Sequence, residues 1–170
     1  ATIGILLGIW IFVKRNHLPF IWGLDRIAIV APLSGAIIRL GNLFNSEIVG
    51  YPTDLPWGFQ FPRCIEDRYL ETLADVPARH PAQLYESLAY FAVFIAIIIL
   101  YRKHKEKVGT GLYAGFTLFT IFTFRFFVEY IKDNQVAFED GMILNMGQIL
   151  SIPLVIAGGY LIYRSTRNKA

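Results

Sequence analysis

The chain has 170 residues, of which 55% are hydrophobic and only 17% charged, with a mean hydropathy of +0.46, which is too apolar for an ordinary soluble domain. Its formal net charge of +3 comes from short Lys/Arg clusters between apolar runs rather than along one face, which argues against nucleic acid as a partner. The single cysteine, Cys64, leaves no internal disulfide framework and no multi-cysteine metal site.

Apolar runs cover residues 1–13, 20–38, 84–101, 111–130 and 147–163, each bounded by charged or turn-forming residues. The expected fold is all-α: a polytopic transmembrane helix bundle of about five spans, forming one domain over residues 1–170. The first run rises only about 20 Å as a helix, against roughly 30 Å of hydrocarbon. The chain is therefore expected to open inside a transmembrane helix and to be the C-terminal part of a longer protein.

On strict alternation, Lys14 and Arg15, the basic run 102–107 and the cluster 164–169 share one side of the membrane, which the positive-inside rule makes cytoplasmic. The C-terminus then lies inside. The connections on the other side, 51–77 and 132–141, are acidic on balance: Asp54, Glu66, Asp67, Glu71 and Asp75 against Arg63 and Arg68, then Asp133, Glu139 and Asp140 against Lys132. Segment 51–77 is long enough for a small extracytoplasmic element, and its Pro and Gly content argues against a long helix. Trp22, Tyr101, Tyr130 and Tyr163 stand at span ends as interfacial anchors.

Local signals are few. Gly4/Gly8 and Gly111/Gly115 have the spacing that lets helices approach closely. Asn145 and Gln148 read as a capping box opening the last span, and Pro153 should kink that helix unless a neighbour compensates. Asp25 and Arg26, near the inner end of the second span, are expected to support the fold as an orienting salt bridge.

Three groups carry the chemistry. Arg39, Gly41, Asn42, Asn45, Glu47 and Gly50 follow the second apolar run; Arg79, His80, Gln83, Tyr85 and Glu86 lead into the third; Arg125 and Glu129 lie four apart in the fourth. Counting about 1.5 Å per residue puts Arg39 roughly 28 Å, Arg125 roughly 21 Å and Glu129 roughly 27 Å above the cytoplasmic ends of their spans. All three groups thus meet one layer toward the outer leaflet. Charges at that depth cost several kcal/mol unless they pair or mark a ligand path. Arg125 and Glu129 are close enough to neutralise each other, and two arginines at one depth suit an anionic head group, because guanidinium holds phosphate bidentately. Asn42 and Asn45 suit glycerol hydroxyls or helix ends alike.

These motifs resemble those of the prolipoprotein diacylglyceryl transferase family, over nearly the whole chain. Arg39, Gly41, Asn42, Asn45, Glu47 and Gly50 match its signature, His80 to Glu86 match its His-Pro-x-Gln-Leu-Tyr-Glu run, and Arg125 to Glu129 and Met146 to Pro153 echo further segments. Ile38 replaces a usual glycine and Leu43 a common phenylalanine, without loss of a polar group. The resemblance implies an enzyme of the bacterial cytoplasmic (inner) membrane that needs no cofactor or metal. It would move a diacylglyceryl group from phosphatidylglycerol to the lipobox cysteine of a prolipoprotein signal peptide, releasing glycerol-1-phosphate among the surrounding membrane lipids.

Under that resemblance Arg39 and Arg125 stabilise the phosphate as catalytic groups, while Asn42, Asn45, Glu47 and Gly50 shape the head-group site. Glu129 orients Arg125, and His80, Gln83, Tyr85 and Glu86 support them. The family's base, a histidine in a His-Gly motif, and an important tyrosine are expected ahead of Ala1, so residues 1–170 alone are expected to be inactive. Two other classes fit the polar groups less closely. A small anion or proton-coupled transporter would favour polar groups at the midplane and internal repeats; a non-catalytic lipid-binding subunit would tolerate loss of the arginines.

Overall fold

The computed structural model describes residues 2–64, 75–133 and 143–167. Five helices dominate: α1 (Thr2–Arg15), α2 (Phe20–Asn45), α3 (Ala82–Lys103), α4 (Leu112–Val128) and α5 (Met146–Arg167). Among the described residues there are also 3-10 turns at Lys105–Lys107 and Glu129–Ile131, and a two-residue antiparallel pair of β1 (Phe59–Gln60) and β2 (Ala78–Arg79). With α4 continued by its 3-10 turn to Ile131, α2 to α5 are each long and apolar enough to cross a membrane. The expected all-α polytopic bundle is therefore present. Glu66, Asp67, Arg68, Glu71, Glu139, Asp140 and Lys169, which entered the charge balance above, lie outside the described residues.

The surface bears the bilayer's mark. Ile37, Phe127 and Ile156 are 60%, 63% and 67% exposed on helices whose interiors hold Asp25, Gln83 and Glu86 at 0%. Water would penalise that distribution; hydrocarbon favours it, since lipid is as apolar as the side chains facing it.

The core gathers where α2, α3 and α4 meet, around Ala28, Ile29, Ile97, Tyr113 and Ala114. Pro32 lies inside α2 and lacks the N–H that would reach the carbonyl of Ala28. Thr117 of α4 supplies the missing donor, its hydroxyl 2.9 Å from that oxygen. Pro153 likewise lies within α5, which runs helical past it to Arg167.

Of the two glycine pairs, one works as expected. A Cβ on Gly115 would meet the Gly158 carbonyl oxygen at 2.8 Å, so α4 and α5 touch backbone to backbone there. Gly4 and Gly8 face open space, and α1 instead approaches α2 over Gly23, where a Cβ would strike Ile9 and Val13 at 2.6 and 2.9 Å. Spacing alone could not tell which glycine faced a neighbour.

At one end of the bundle the connections knit together. The segment around Gly50 and Tyr51 lies between the chain at Ala78–Arg79 and the chain leaving α4: Gly50 N–H donates to the His80 carbonyl (3.0 Å), Tyr51 N–H to that of Ile131 (3.0 Å), and His80 N–H to that of Tyr51 (3.0 Å). A Cβ on Gly50 would meet the His80 Cβ and the Ile131 carbonyl, each at 2.6 Å, so only glycine fits between them. This backbone junction fixes the ends of α2, α3 and α4 relative to one another.

Candidate functional site

The site is built on one face of α3. Gln83, Glu86, Ser87 and Tyr90 follow the i, i+3, i+4, i+7 spacing of a helical stripe, and all four are buried. The stripe is polar where a soluble helix would be apolar. Ser87 donates to the Ala36 carbonyl (2.9 Å) and Gln83 Nε2 to the Glu47 carbonyl (2.7 Å), which docks α3 on the last turns of α2.

Glu86, fully buried, is the hub. Arg39 Nε stands 3.1 Å from its Oε2, and Lys132 Nζ donates to its Oε1 at 3.1 Å. The Tyr90 hydroxyl donates to the same Oε1 at 3.2 Å. Lys132, itself 3% exposed, also donates to Glu129 Oε2 at 3.0 Å. Charges alternate along Arg39, Glu86, Lys132 and Glu129, as burial requires, because an unpaired ion there costs several kcal/mol. The Arg39 contact is ionic and out of line for a hydrogen bond to Oε2.

Arg125 stands in the last turn of α4. Both Arg39 and Arg125 act electrostatically on the Tyr90 hydroxyl. The expected pairing of Arg125 with Glu129 is not formed. The chain tightens into the 3-10 turn Glu129–Ile131, which brings Lys132 round to take the carboxylate instead. Among the described residues Arg125 is bonded to no carboxylate, while Arg39 and Lys132 share Glu86 and Glu129.

α5 props up the far side. Gly147 lies directly beneath Glu129, whose carboxylate occupies the place a Cβ would take. Asn145 and Gln148 form the expected capping box: Gln148 N–H donates to Asn145 Oδ1 (2.9 Å) and Asn145 N–H to Gln148 Oε1 (3.1 Å). Their amides also hold the end of α4, through the carbonyls of Glu129 and Phe126, each at 3.4 Å.

The residues of the first motif divide. α2 does not stop at Ile38; it continues to Asn45 and closes on Ser46 in the left-handed region, so Arg39 and Asn42 lie three apart on one helical surface. Asn42 is half-buried, its carbonyl accepting from Glu47 N–H (2.9 Å). Asn45 and Glu47 present exposed side chains, and Glu47 joins the assembly through its backbone. His80 and Tyr85 form a neighbouring pair, His80 Nδ1 and the Tyr85 hydroxyl 3.5 Å apart, with Trp57 Nε1 donating to that hydroxyl at 3.0 Å.

Asp25 lies at the other end of the bundle. The expected salt bridge with Arg26 is absent; Asp25 instead accepts the backbone N–H groups of Gly109 (2.8 Å), Gly111 (2.9 Å) and Ala114 (2.9 Å). It caps the start of α4 with an anion where that helix's orphan donors and positive dipole end lie.

Sequence reasoning missed Lys132, Tyr90 and Trp57, and left Arg79 without a role. Lys132 counted as a loop charge, whereas the structure buries it between two carboxylates. Arg79, 5% exposed, pairs with Asp133 at 2.7 Å and ties the start of α3 to the end of α4. For Tyr90 the signal was available, since it continues the spacing of Gln83 and Glu86.

A family model described as prolipoprotein diacylglyceryl transferase matches residues 1–164. Curated relatives with the name phosphatidylglycerol–prolipoprotein diacylglyceryl transferase include one from Bacteroides fragilis, 43% identical over all of this chain and 58% of the relative. Others come from Tolumonas auensis, 44% identical over 99% of this chain and 61% of the relative, and from Porphyromonas gingivalis, 45% identical with the same coverages. The chain thus spans about three-fifths of the length of these relatives.

Proposed function

The chain belongs to the prolipoprotein diacylglyceryl transferase family, and from that premise we propose that the protein transfers a diacylglyceryl group from phosphatidylglycerol to the lipobox cysteine of a prolipoprotein. The carrying observation is the buried Glu86 held between Arg39 and Lys132 at one end of the bundle, with Arg125 within electrostatic range of Tyr90 and bonded to no carboxylate among the described residues. A lipid phosphate is the anion such a cluster suits, because it arrives from the bilayer and offers several acceptor oxygens to guanidinium donors.

In the reaction, the cysteine thiolate attacks the glycerol carbon that bears the phosphate. The carbon–oxygen bond breaks, its electron pair stays with the phosphate, and glycerol-1-phosphate leaves. Negative charge grows on the leaving oxygen, and Arg39 and Arg125 stabilise it in a site shielded from water. Glu86 and Lys132 position Arg39, Asn42 lies beside it, and the buried Gln83 Oε1, which has no hydrogen-bond partner among the described residues, suits a head-group hydroxyl. His80 and Tyr85 line the approach, Gly50 keeps the junction tight, and Glu129 acts on the site through Lys132. The protein would sit in the bacterial inner membrane with its C-terminus cytoplasmic and this cluster toward the extracytoplasmic leaflet.

The test is phosphatidylglycerol-dependent labelling of a lipobox peptide by the full-length protein. Arg39→Ala and Arg125→Ala should each lower kcat/KM by a factor of about 100 or more, and Arg39→Lys should restore little, since an ammonium cannot reproduce the fork. Undiminished turnover in both alanine variants would remove the assignment. The transport reading has no support from the family match.

A further inference from the structure

The polar stripe of α3 is sealed. Gln83 and Glu86 are fully buried and Lys132 is nearly so, so a lipid head group reaches them only if backbone moves. Gln83 Oε1 and Glu86 Oε2 have no hydrogen-bond partner among the described residues, which leaves acceptors inside the seal for a ligand that enters. The helices themselves are held by the core and by the junction at Gly50. The short turn that leads from α2 into that junction differs from them, because it carries strain.

α2 closes as a Schellman motif: Ser46 N–H donates to the Leu43 carbonyl at 3.1 Å and Glu47 N–H to that of Asn42 at 2.9 Å, with Ser46 in the left-handed region. One left-handed residue completes that motif, yet the chain makes a second at Ile48, with φ 61°. Of the non-glycine residues with positive φ among those described, His17, Ser46 and Ile48, only Ile48 is β-branched. Crowding between a branched Cβ and the backbone makes this conformation an outlier, roughly 10- to 100-fold less populated than the extended one in a free chain.

Hydrogen bonds on both sides impose it. Before Ile48, the Glu47 N–H is bound to Asn42, and the Glu47 carbonyl accepts from Gln83 Nε2 at 2.7 Å. After it, the Val49 carbonyl accepts from Asp133 N–H at 3.2 Å and Gly50 N–H donates to the His80 carbonyl at 3.0 Å. Three of these pins join backbone to backbone. The fourth is the Gln83 amide, a side chain that can turn to another acceptor, and it holds the very peptide that joins Glu47 to Ile48.

We propose that Ile48 is a strained hinge, released when a phospholipid head group draws the Gln83 amide from the Glu47 carbonyl. A phosphate or hydroxyl oxygen accepts from Nε2 in place of that carbonyl; the Glu47–Ile48 peptide then rotates, Ile48 relaxes to negative φ, and the turn swings clear of the stripe. Strain relief offsets the hydrogen bond given up, so the seal opens to lipid and closes again when the head group leaves. This rests on the transferase reading, which supplies the head group.

Ile48→Gly and Ile48→Ala in the full-length protein test the hinge, since both remove the half-buried side chain and only glycine removes the strain. Glycine accepts positive φ freely and therefore favours the sealed form. The glycine variant should melt above the alanine variant, yet label a lipobox peptide from phosphatidylglycerol with a kcat/KM roughly tenfold lower. Hydrogen exchange across residues 46–49 gives a readout independent of transfer. Adding phosphatidylglycerol to the detergent-solubilised protein should speed that exchange in the unaltered chain and in Ile48→Ala, and leave Ile48→Gly unchanged. Equal kcat/KM in the two variants overturns the hinge, as does a glycine variant that melts below the alanine one. Absence of transfer by the unaltered protein removes the transferase reading instead; exchange then decides the hinge, and the same response in both variants overturns it.

Discussion

Asp25 and Glu86 are both 0% exposed, yet the two ends of the bundle neutralise them by opposite means. Asp25 takes three backbone N–H groups from the start of α4, donors that no side-chain motion can withdraw. Glu86 takes two side-chain cations and a hydroxyl, each of which can turn to another acceptor. The first arrangement is a fastening. The second is a reserve of charge that an arriving anion could share, which supports the proposal of a site at the Glu86 end.

This contrast can be broken directly. Glu86→Gln should have the largest effect, costing about 3–5 kcal/mol of stability in detergent unfolding, because Arg39 and Lys132 stay buried with only Glu129 between them. It should also lower kcat/KM in the folded fraction. Adding Lys132→Met should recover part of that stability, and strictly additive losses would show that the two residues are not coupled. Asp25→Ala follows, at about 3 kcal/mol, since it strands buried N–H donors. Here kcat per folded molecule should hold, so a fall in kcat at full folding would place Asp25 in the chemistry rather than in the scaffold.

Gly147→Ala sharpens the comparison with a smaller change. The new methyl must displace the Glu129 carboxylate at about 1–2 kcal/mol of overpacking. Its main consequence should be a raised KM for the lipid donor, because Lys132 then leans more on Glu86 and Arg39 loses part of its support. An unchanged KM alongside lowered stability would confine Glu129 to packing.

Much of the fold was legible because its signals are local or one-dimensional. Apolar run length marked the helices, and turn residues bounded them. Asn145 and Gln148 disclosed their capping box because both partners lie within one turn. The end of α2 was misjudged by seven residues, from Ile38 to Asn45, since the polar residues of the motif masked a helix that neighbouring chain was able to satisfy. Gly4/Gly8 and Gly115 look alike in spacing and differ only in what faces them.

The residues themselves determined that this chain crosses a membrane as helices and that its charges gather near the ends of its apolar runs, because burial in hydrocarbon depends on composition over a span. Tertiary structure alone decided who pairs with whom. Asp25 finds its donors 84 to 89 positions away, Glu86 finds Lys132 at 46, and Glu129 turns from Arg125 to Lys132. Ion pairing depends on the few ångströms set by helix rotation and by the backbone junction at Gly50, and sequence distance carries no measure of either.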